Sequence, residues 1–372
     1  MGKQVDALKK NHEVYVLTFS ASSFDEKLKA AVESDFHYHS VKINRFTRLF
    51  HVLSEPWLPN YFAARSSFRF AVKLICLVKQ YRIQAIHGEY ASMGQYMWIK
   101  KMFPGLVFNL TEHDMTAQSY ERKLEGLTGI KKYYFQCQLR QIIKYEKRYC
   151  QRADTLFTFN QKDKMLIKER YGRSDCRVLN PYYGLEDEML ECETGDKCTE
   201  YANICFLGQM GRDENYLAAL RLIKFCKKVK KLIPELQVYI VGNQPPEDLK
   251  QQENEYIHVT GFVEDVDEYL KRACLAVFPL TLGAGIKLKV LRSLALGTPV
   301  ITTAVGAEGI DEAGEAVLLA ETDEEFQEKI VQYIKDDSIR KRIGEESRRF
   351  VREHFAWRAS ERVLGEVYGR KE

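Results

Sequence analysis

No part of this 372-residue sequence stays apolar for long. The most apolar stretch, Ala71 to Val78, is short and carries Lys73. A membrane-spanning helix needs about 20 apolar residues, so none is expected. A leader peptide is not expected either, because Met1-Gly2-Lys3-Gln4-Val5-Asp6 leads into polar sequence. Asp6 stands where N-myristoylation wants Ser or Thr. The cysteines lack pattern: those at 76, 137, 150, 176, 192, 198, 205, 226 and 274 are odd in number and form no Cys-x-x-Cys pair. A disulfide framework and a zinc ribbon are therefore not expected, and the thiols read as reduced, which suits the cytoplasm. The sequence has neither an internal repeat nor a low-complexity tract.

What is present is globular composition, 45% hydrophobic and 29% charged. That excludes a disordered or collagen-like chain. The length suits two domains of ordinary size and a large core. Lys plus Arg is 56 against 52 Asp plus Glu, a net +4. So mild a balance does not call for a nucleic-acid partner, and no nucleic-acid-binding module is recognisable.

Short apolar segments alternate with amphipathic ones. Strands are expected at Val14–Phe19, Phe36–Ile43, Ala85–His87, Val107–Leu110, Thr155–Phe159 and Arg177–Leu179. Helical periodicity fills Phe24–Glu33, Phe62–Tyr81, Tyr90–Met102, Ile130–Cys150 and Lys162–Arg170. Strands separated by helices imply parallel pairing with right-handed crossovers. Residues 185–201 break the rhythm with seven acidic side chains against Lys197 alone, and read as a linker. The alternation then restarts with strands at Ile204–Leu207, Leu236–Gly242, Tyr256–Val259, Leu275–Phe278 and Pro299–Thr302. Helices are expected at Leu217–Leu232, Val266–Arg272, Gly285–Leu296, Glu324–Ile334, Ser338–His354 and Trp357–Val367. The expected fold is α/β, with two Rossmann-like, doubly wound domains at 1–184 and 202–355. They are expected to face each other across a cleft, with a last helix, 356–372, crossing back to the first. Open α/β sheets bind ligands outside the carboxyl ends of their strands, so a small-molecule site is expected there.

The richest segment runs Phe278-Pro279-Leu280-Thr281-Leu282-Gly283-Ala284-Gly285-Ile286-Lys287-Leu288-Lys289. Gly283 and Gly285 allow close backbone approach, and the following helix offers unpaired N–H groups at its positive end. Lys287 near that end is badly placed for the dipole unless an anion, such as a diphosphate, lies between. The plainer reading is a βα turn with solvated lysines. Glycine turns also follow other strands, at Gly208-Gln209-Met210-Gly211, Gly261-Phe262-Val263 and Thr303–Gly309. Such turns are ordinary in α/β folds, but they share one rim of the sheet.

Taken with Lys287–Leu291, Ala295–Val300 and Gly306-Ala307-Glu308-Gly309, the run Gly283–Gly309 closely resembles the group 1 (family 4) retaining glycosyltransferases of GT-B fold. Ile204–Gly208, Asn215 and Val238–Gly242 fit the same family's nucleotide-binding domain, and Asn11–Val14, His87-Gly88-Glu89, His113-Asp114 and Ala153-Asp154 fit its acceptor domain. The resemblance implies a nucleotide-diphosphate-sugar donor, a glycan or glycolipid acceptor, retention of configuration, a role in cell-surface polysaccharide synthesis, and no metal or other cofactor. It places Gly208 and Gln209 at the diphosphate, Phe262 and Val263 beside the base, and Gly283, Gly285 and Lys287 on the phosphates. Gly306 and Glu308 fall near the donor sugar, and His113 in the sugar pocket. His113 and Lys287 become the catalytic candidates; for His113, a satisfied histidine at a strand end is the competing reading.

The chain departs from the family in several places, among them Ala284 in the glycine turn and Gln209 and Glu214 where relatives place Arg and Lys. Arg292 stands where relatives carry a glutamate for the ribose hydroxyls, and a guanidinium cannot accept a hydrogen bond. It could instead meet a phosphate. The sequence also opens on the helix Lys3–Lys10, without the family's first strand and glycine-rich loop, so a gap or a repaired pairing is expected in the middle of the first sheet. These departures keep open a second reading, a non-catalytic GT-B partner or scaffold of another glycosyltransferase. Finally, basic and aromatic residues interleave at Arg45–Phe50, Arg65–Phe70 and Lys131–Phe135, a pattern shared by amphipathic core helices and by surfaces resting peripherally on the cytoplasmic face of a membrane.

Overall fold

A computed structural model describes residues 2–20, 37–187 and 202–369. The predicted helix Phe24–Glu33 and the acidic segment from residue 188 to 201 lie outside the described residues. The chain divides into two compact units, residues 1–179 with 360–372, and residues 180–359. The sequence drew its limits a few residues away, at 184 and 355. Tyr183 and Leu185 are buried in the core of the second unit.

The first unit runs α1 (Gly2–Lys9), β1 (Tyr15–Ser20), β2 (His37–Lys42), α2 (Arg45–Ser54), α3 (Asn60–Ala63), α4 (Phe68–Tyr81) and β3 (Ala85–Glu89). A 3-10 helix (Ala91–Lys101), β4 (Val107–Glu112), α5 (Thr116–Glu125), α6 (Gly129–Arg152), β5 (Leu156–Thr158), α7 (Gln161–Tyr171) and β6 (Arg177–Val178) follow. Two parallel ladders form: β1 with β2, and β3-β4-β5-β6 in that order. Among the described residues no ladder joins β1 to β3, and most of both strands is only half-buried, whereas β5 is fully buried.

Two helical expectations need correction. Phe62–Tyr81 is not one helix: it breaks after Ala63 and restarts where the Ser67 side chain caps α4 by accepting the Phe70 N–H. Tyr90–Met102 is a 3-10 helix, entered through Tyr90 at φ +74°. Helices α2 and α5 were not foreseen; α2 is short and largely exposed.

The second unit comprises β7 (Asn203–Leu207), α8 (Asp213–Leu232), β8 (Gln237–Val241), α9 (Glu247–Lys250), β9 (Ile257–Gly261), α10 (Asp267–Arg272) and β10 (Leu275–Phe278). It continues with α11 (Leu288–Ala295), β11 (Val300–Thr302), β12 (Val317–Leu319), α12 (Asp323–Lys335), α13 (Asp337–Phe355) and α14 (Trp357–Tyr368), whose last residues belong to the first unit. Its six strands are all parallel, in the order β12-β11-β10-β7-β8-β9. Strands β10 and β11 are wholly buried, as continuous apolar runs in a doubly wound sheet must be. Strand β7 sits where the winding reverses: β8 and β9 extend to one side, β10 to β12 to the other. The crevice at such a reversal is where open α/β sheets take ligands.

Candidate functional site

The turns after β7 and β10 flank that reversal. Gly208 ends β7, and its N–H donates to Val241 O at 3.0 Å. Gly242, at φ +142°, closes the turn after β8 so tightly that a Cβ there would lie 1.8 Å from Gly208 O. Only glycine fits. Asn215, on the first turns of α8, donates from Nδ2 to Gln209 O at 2.9 Å and so fixes the Gly208-Gln209 turn. Gln209 itself is exposed.

From the other side comes α11. The helix begins at Leu288, not at the expected Gly285, because Gly283 and Gly285 hold φ of +105° and +67°. Lys287 is therefore the residue before the first turn rather than within it. Its ammonium donates to Gly285 O at 2.5 Å and lies 3.6 Å from Glu308 Oε2, with both side chains nearly buried. Gly306 and Glu308 belong to the turn after β11. There Thr302 Oγ1 donates to Phe278 O at 2.7 Å and Thr303 Oγ1 to Leu280 O at 2.6 Å, which ties this turn to β10.

Lys289, which the sequence reading did not single out, joins the two sides. Its ammonium donates to Asn215 Oδ1 at 2.5 Å and sits over the rings of Phe206 and Phe278, 4.9 and 5.5 Å from their centroids. Burial, then the charges of Lys287 and Arg212, push it down to about 7, against the pull of Glu214. The signal was available: two lysines one residue apart open a helix that has no acidic residue in its first turn.

The remaining candidates are placed differently. Arg292 is not presented toward the lysines: its Nε donates to Asp267 Oδ1 at 2.5 Å, and its guanidinium packs on Gly184. Phe262 is 73% exposed and Val263 half-buried in the turn after β9, so the Phe262 ring face is open for stacking.

His113 lies in the first unit, just past β4. Its Nε2 is 2.7 Å from Glu89 Oε2, its ring stacks on Tyr90 at 3.7 Å between centroids, and Phe159 meets it edge-on at 4.6 Å. Burial works to raise Glu89, but the hydrogen bond from His113 and the neighbouring histidines hold it below the ordinary carboxylate value. His87 beside it bridges Tyr368 OH (2.7 Å) and Thr111 Oγ1 (2.6 Å), and burial lowers its pKa. The sequence pointed to His113, but not to Glu89 as its partner or to Tyr90 as its platform.

Two family models match: Glycosyltransferase Family 4 over residues 4–181, and Glycosyl transferases group 1 over residues 202–336. The chain belongs to the group 1 glycosyltransferases. An uncharacterized glycosyltransferase of Methanocaldococcus jannaschii is 24% identical over 240 residues, 59% of each chain. An uncharacterized 44.6 kDa protein of the Klebsiella pneumoniae cps region is 25% identical over 253 residues, 63% of this chain and 60% of that protein. The matches thus span about three fifths of these relatives' length. Among solved structures, HepE of Anabaena with UDP-glucose has a TM-score of 0.69 at 11% identity, covering 98% of this chain and 94% of that one. Sucrose-phosphate synthase of Thermosynechococcus elongatus scores 0.66 at 16% identity, over 95% and 97%. WaaG, a glycosyltransferase of lipopolysaccharide biosynthesis, scores 0.64 at 14%, over 95% and 100%. This group 1 glycosyltransferase shares the GT-B fold with them.

Proposed function

We propose that this chain transfers a sugar from a nucleoside-diphosphate sugar to a hydroxyl of a glycan or glycolipid, with retention at the anomeric carbon and without a metal. The observation that carries the proposal is the Lys287–Lys289–Asn215 arrangement at the reversal between β7 and β10. It sets two ammonium groups beside glycine turns and an open helix N-terminus, which is the chemistry of a diphosphate cradle. HepE, solved with UDP and with UDP-glucose, supports a nucleotide sugar as donor.

In the reaction the anomeric carbon–phosphate oxygen bond breaks and a bond to the acceptor oxygen forms. The acceptor proton passes to the departing phosphate oxygen. Lys287, Lys289 and the first N–H groups of α11 would stabilise the charge that grows on that phosphate. Glu308, held beside Lys287, would bind the donor sugar, and the Phe262 ring would stack on the base. His113, fixed by Glu89 and Tyr90, stays the catalytic candidate of the first unit. The role in cell-surface polysaccharide synthesis stays part of the proposal.

A second reading has its own observation. Arg292 is spent on Asp267, which leaves no carboxylate at that helix position for the ribose hydroxyls. A degenerate GT-B partner of another transferase would look like this. A panel of sugar nucleotides decides between them: release of the nucleoside diphosphate, abolished by Lys287→Met, supports transfer. Thermal protection by UDP without turnover supports the degenerate partner. No protection by any nucleotide defeats transfer and favours the degenerate partner, which lacks the ribose carboxylate.

A further inference from the structure

Helix α2 buries nothing. None of its ten residues is buried, yet Phe46, Leu49, Phe50 and Leu53 recur at i, i+3, i+4 and i+7, one stripe of the helix. Phe46 is 83% and Leu53 71% exposed; Trp57 just beyond the helix and Phe68 at the start of α4 are exposed too. Such a stripe ordinarily covers a core, but none of these four residues is among the buried residues of this unit's core, which takes Phe62 and Phe70. The Ser66 hydroxyl donates to Glu55 at 2.9 Å. The Asn60 amide nitrogen donates to Gln138 Oε1 at 2.8 Å, and its side chain to Tyr134 OH. Residues 55–66 thus tie the end of α2 to the beginning of α6, where Ile130 and Tyr133 are again exposed.

Charge follows the same segment. Residues 37–88 hold eight Lys and Arg against Glu55 alone, +7, in a chain whose total is +4. Arg45, Arg48, Arg69 and Lys73 are exposed. Helices α2, α4 and α6 have no acidic residue in their first turns; Arg45, Arg69, Lys131 and Lys132 lie at those ends instead. Cations at positive helix ends are unfavourable unless anions lie opposite.

We infer that this face rests on an anionic bilayer. Helix α2 lies in the headgroup layer, with Phe46, Leu49, Phe50 and Leu53 at the acyl boundary and the arginines on lipid phosphates. A second copy of the same face would set Arg45 and Arg48 against their own copies, which argues for lipid over self-association. The inference concerns attachment only and does not depend on sugar transfer.

The test is flotation with phosphatidylcholine vesicles, with and without phosphatidylglycerol, at low and raised salt. The protein should float only with the anionic vesicles, less at raised salt, and Trp57 emission should shift to the blue, a shift absent from Trp57→Phe. Phe46→Ser/Phe50→Ser and Arg45→Glu/Arg48→Glu should each lower partitioning by about tenfold or more. Both should melt with the wild type, because these side chains are exposed, and should keep any donor hydrolysis measured without lipid. Absence of flotation, equal flotation without phosphatidylglycerol, or wild-type flotation of the phenylalanine variant would overturn the inference. So would a dimer that the phenylalanine variant dissociates, which would mark the face as a contact between copies.

Discussion

The lysine at the reversal of the sheet makes a quantitative prediction. Lys289 titrates near 7 because it is enclosed by Asn215, Phe206 and Phe278 and repelled by Lys287 and Arg212. Its pKa in the folded protein lies below the unfolded value, so the unliganded fold gains stability as pH rises from 7 toward the ordinary lysine range. A diphosphate reverses the balance, because it favours the ammonium. Binding above pH 7 must then take up a proton. If the bound state holds that proton throughout, affinity falls up to about fifty-fold between pH 7 and pH 9. The ligand's own terminal phosphate ionises near pH 6, so it adds little over this range. Titration calorimetry with UDP, in two buffers of different ionisation enthalpy, reads both affinity and proton uptake. Lys289→Met keeps the alkyl packing and should bind weakly with no pH slope, whereas Lys287→Met should bind weakly with the slope moved to higher pH, because part of the repulsion that lowers Lys289 is gone. The reasoning fails if the wild type binds equally at pH 7 and 9, or if Lys289→Met shows the wild-type slope.

Other perturbations follow from the same geometry. Gly242→Ala drives a methyl into the Gly208 carbonyl and should cost about 3 kcal/mol or more, seen as a lowered melting temperature. Arg292→Glu sets a carboxylate against Asp267 and should destabilise by about 2 kcal/mol, partly recovered by Asp267→Arg in the same chain; additive effects would show that the pair is not coupled. Glu146, buried with Glu112, accepts the Thr116 N–H and the Tyr171 hydroxyl, and burial raises it to about 7. The folded state therefore holds a proton that the unfolded chain releases, and stability on the order of 3 kcal/mol is lost as pH rises from about 4.5 through 7. Glu146→Gln should flatten that slope in thermal melts between pH 5 and 8, and an unchanged slope would assign it to other groups.

Much of the fold was legible in one dimension. Parallel strands such as Ile204–Leu207 and Leu275–Phe278 announce themselves as short, continuous apolar runs, because both faces are covered. The glycine turns at 208, 242, 283 and 285 mark where the backbone leaves the sheet, and the lysines after them mark the helix end that wants an anion. The three-residue strand β12 was too short to show a period, and α2 carries too little buried surface to stand out.

Pairing across long separations is what the sequence could not reveal. Lys289 and Asn215 are 74 residues apart, and Arg292 and Asp267 are 25 apart; only the strand order β10-β7-β8 and the helices hung from it bring each pair together. The same holds for α2. Its period reports an apolar stripe, but whether a core covers that stripe depends on every other element. The residues thus determined which segments are strands, where the chain turns and which helix end favours a phosphate. Tertiary structure decided which charges neutralise one another, which lysine loses its proton and which apolar face is left to the solvent, because burial and contact belong to the assembled chain.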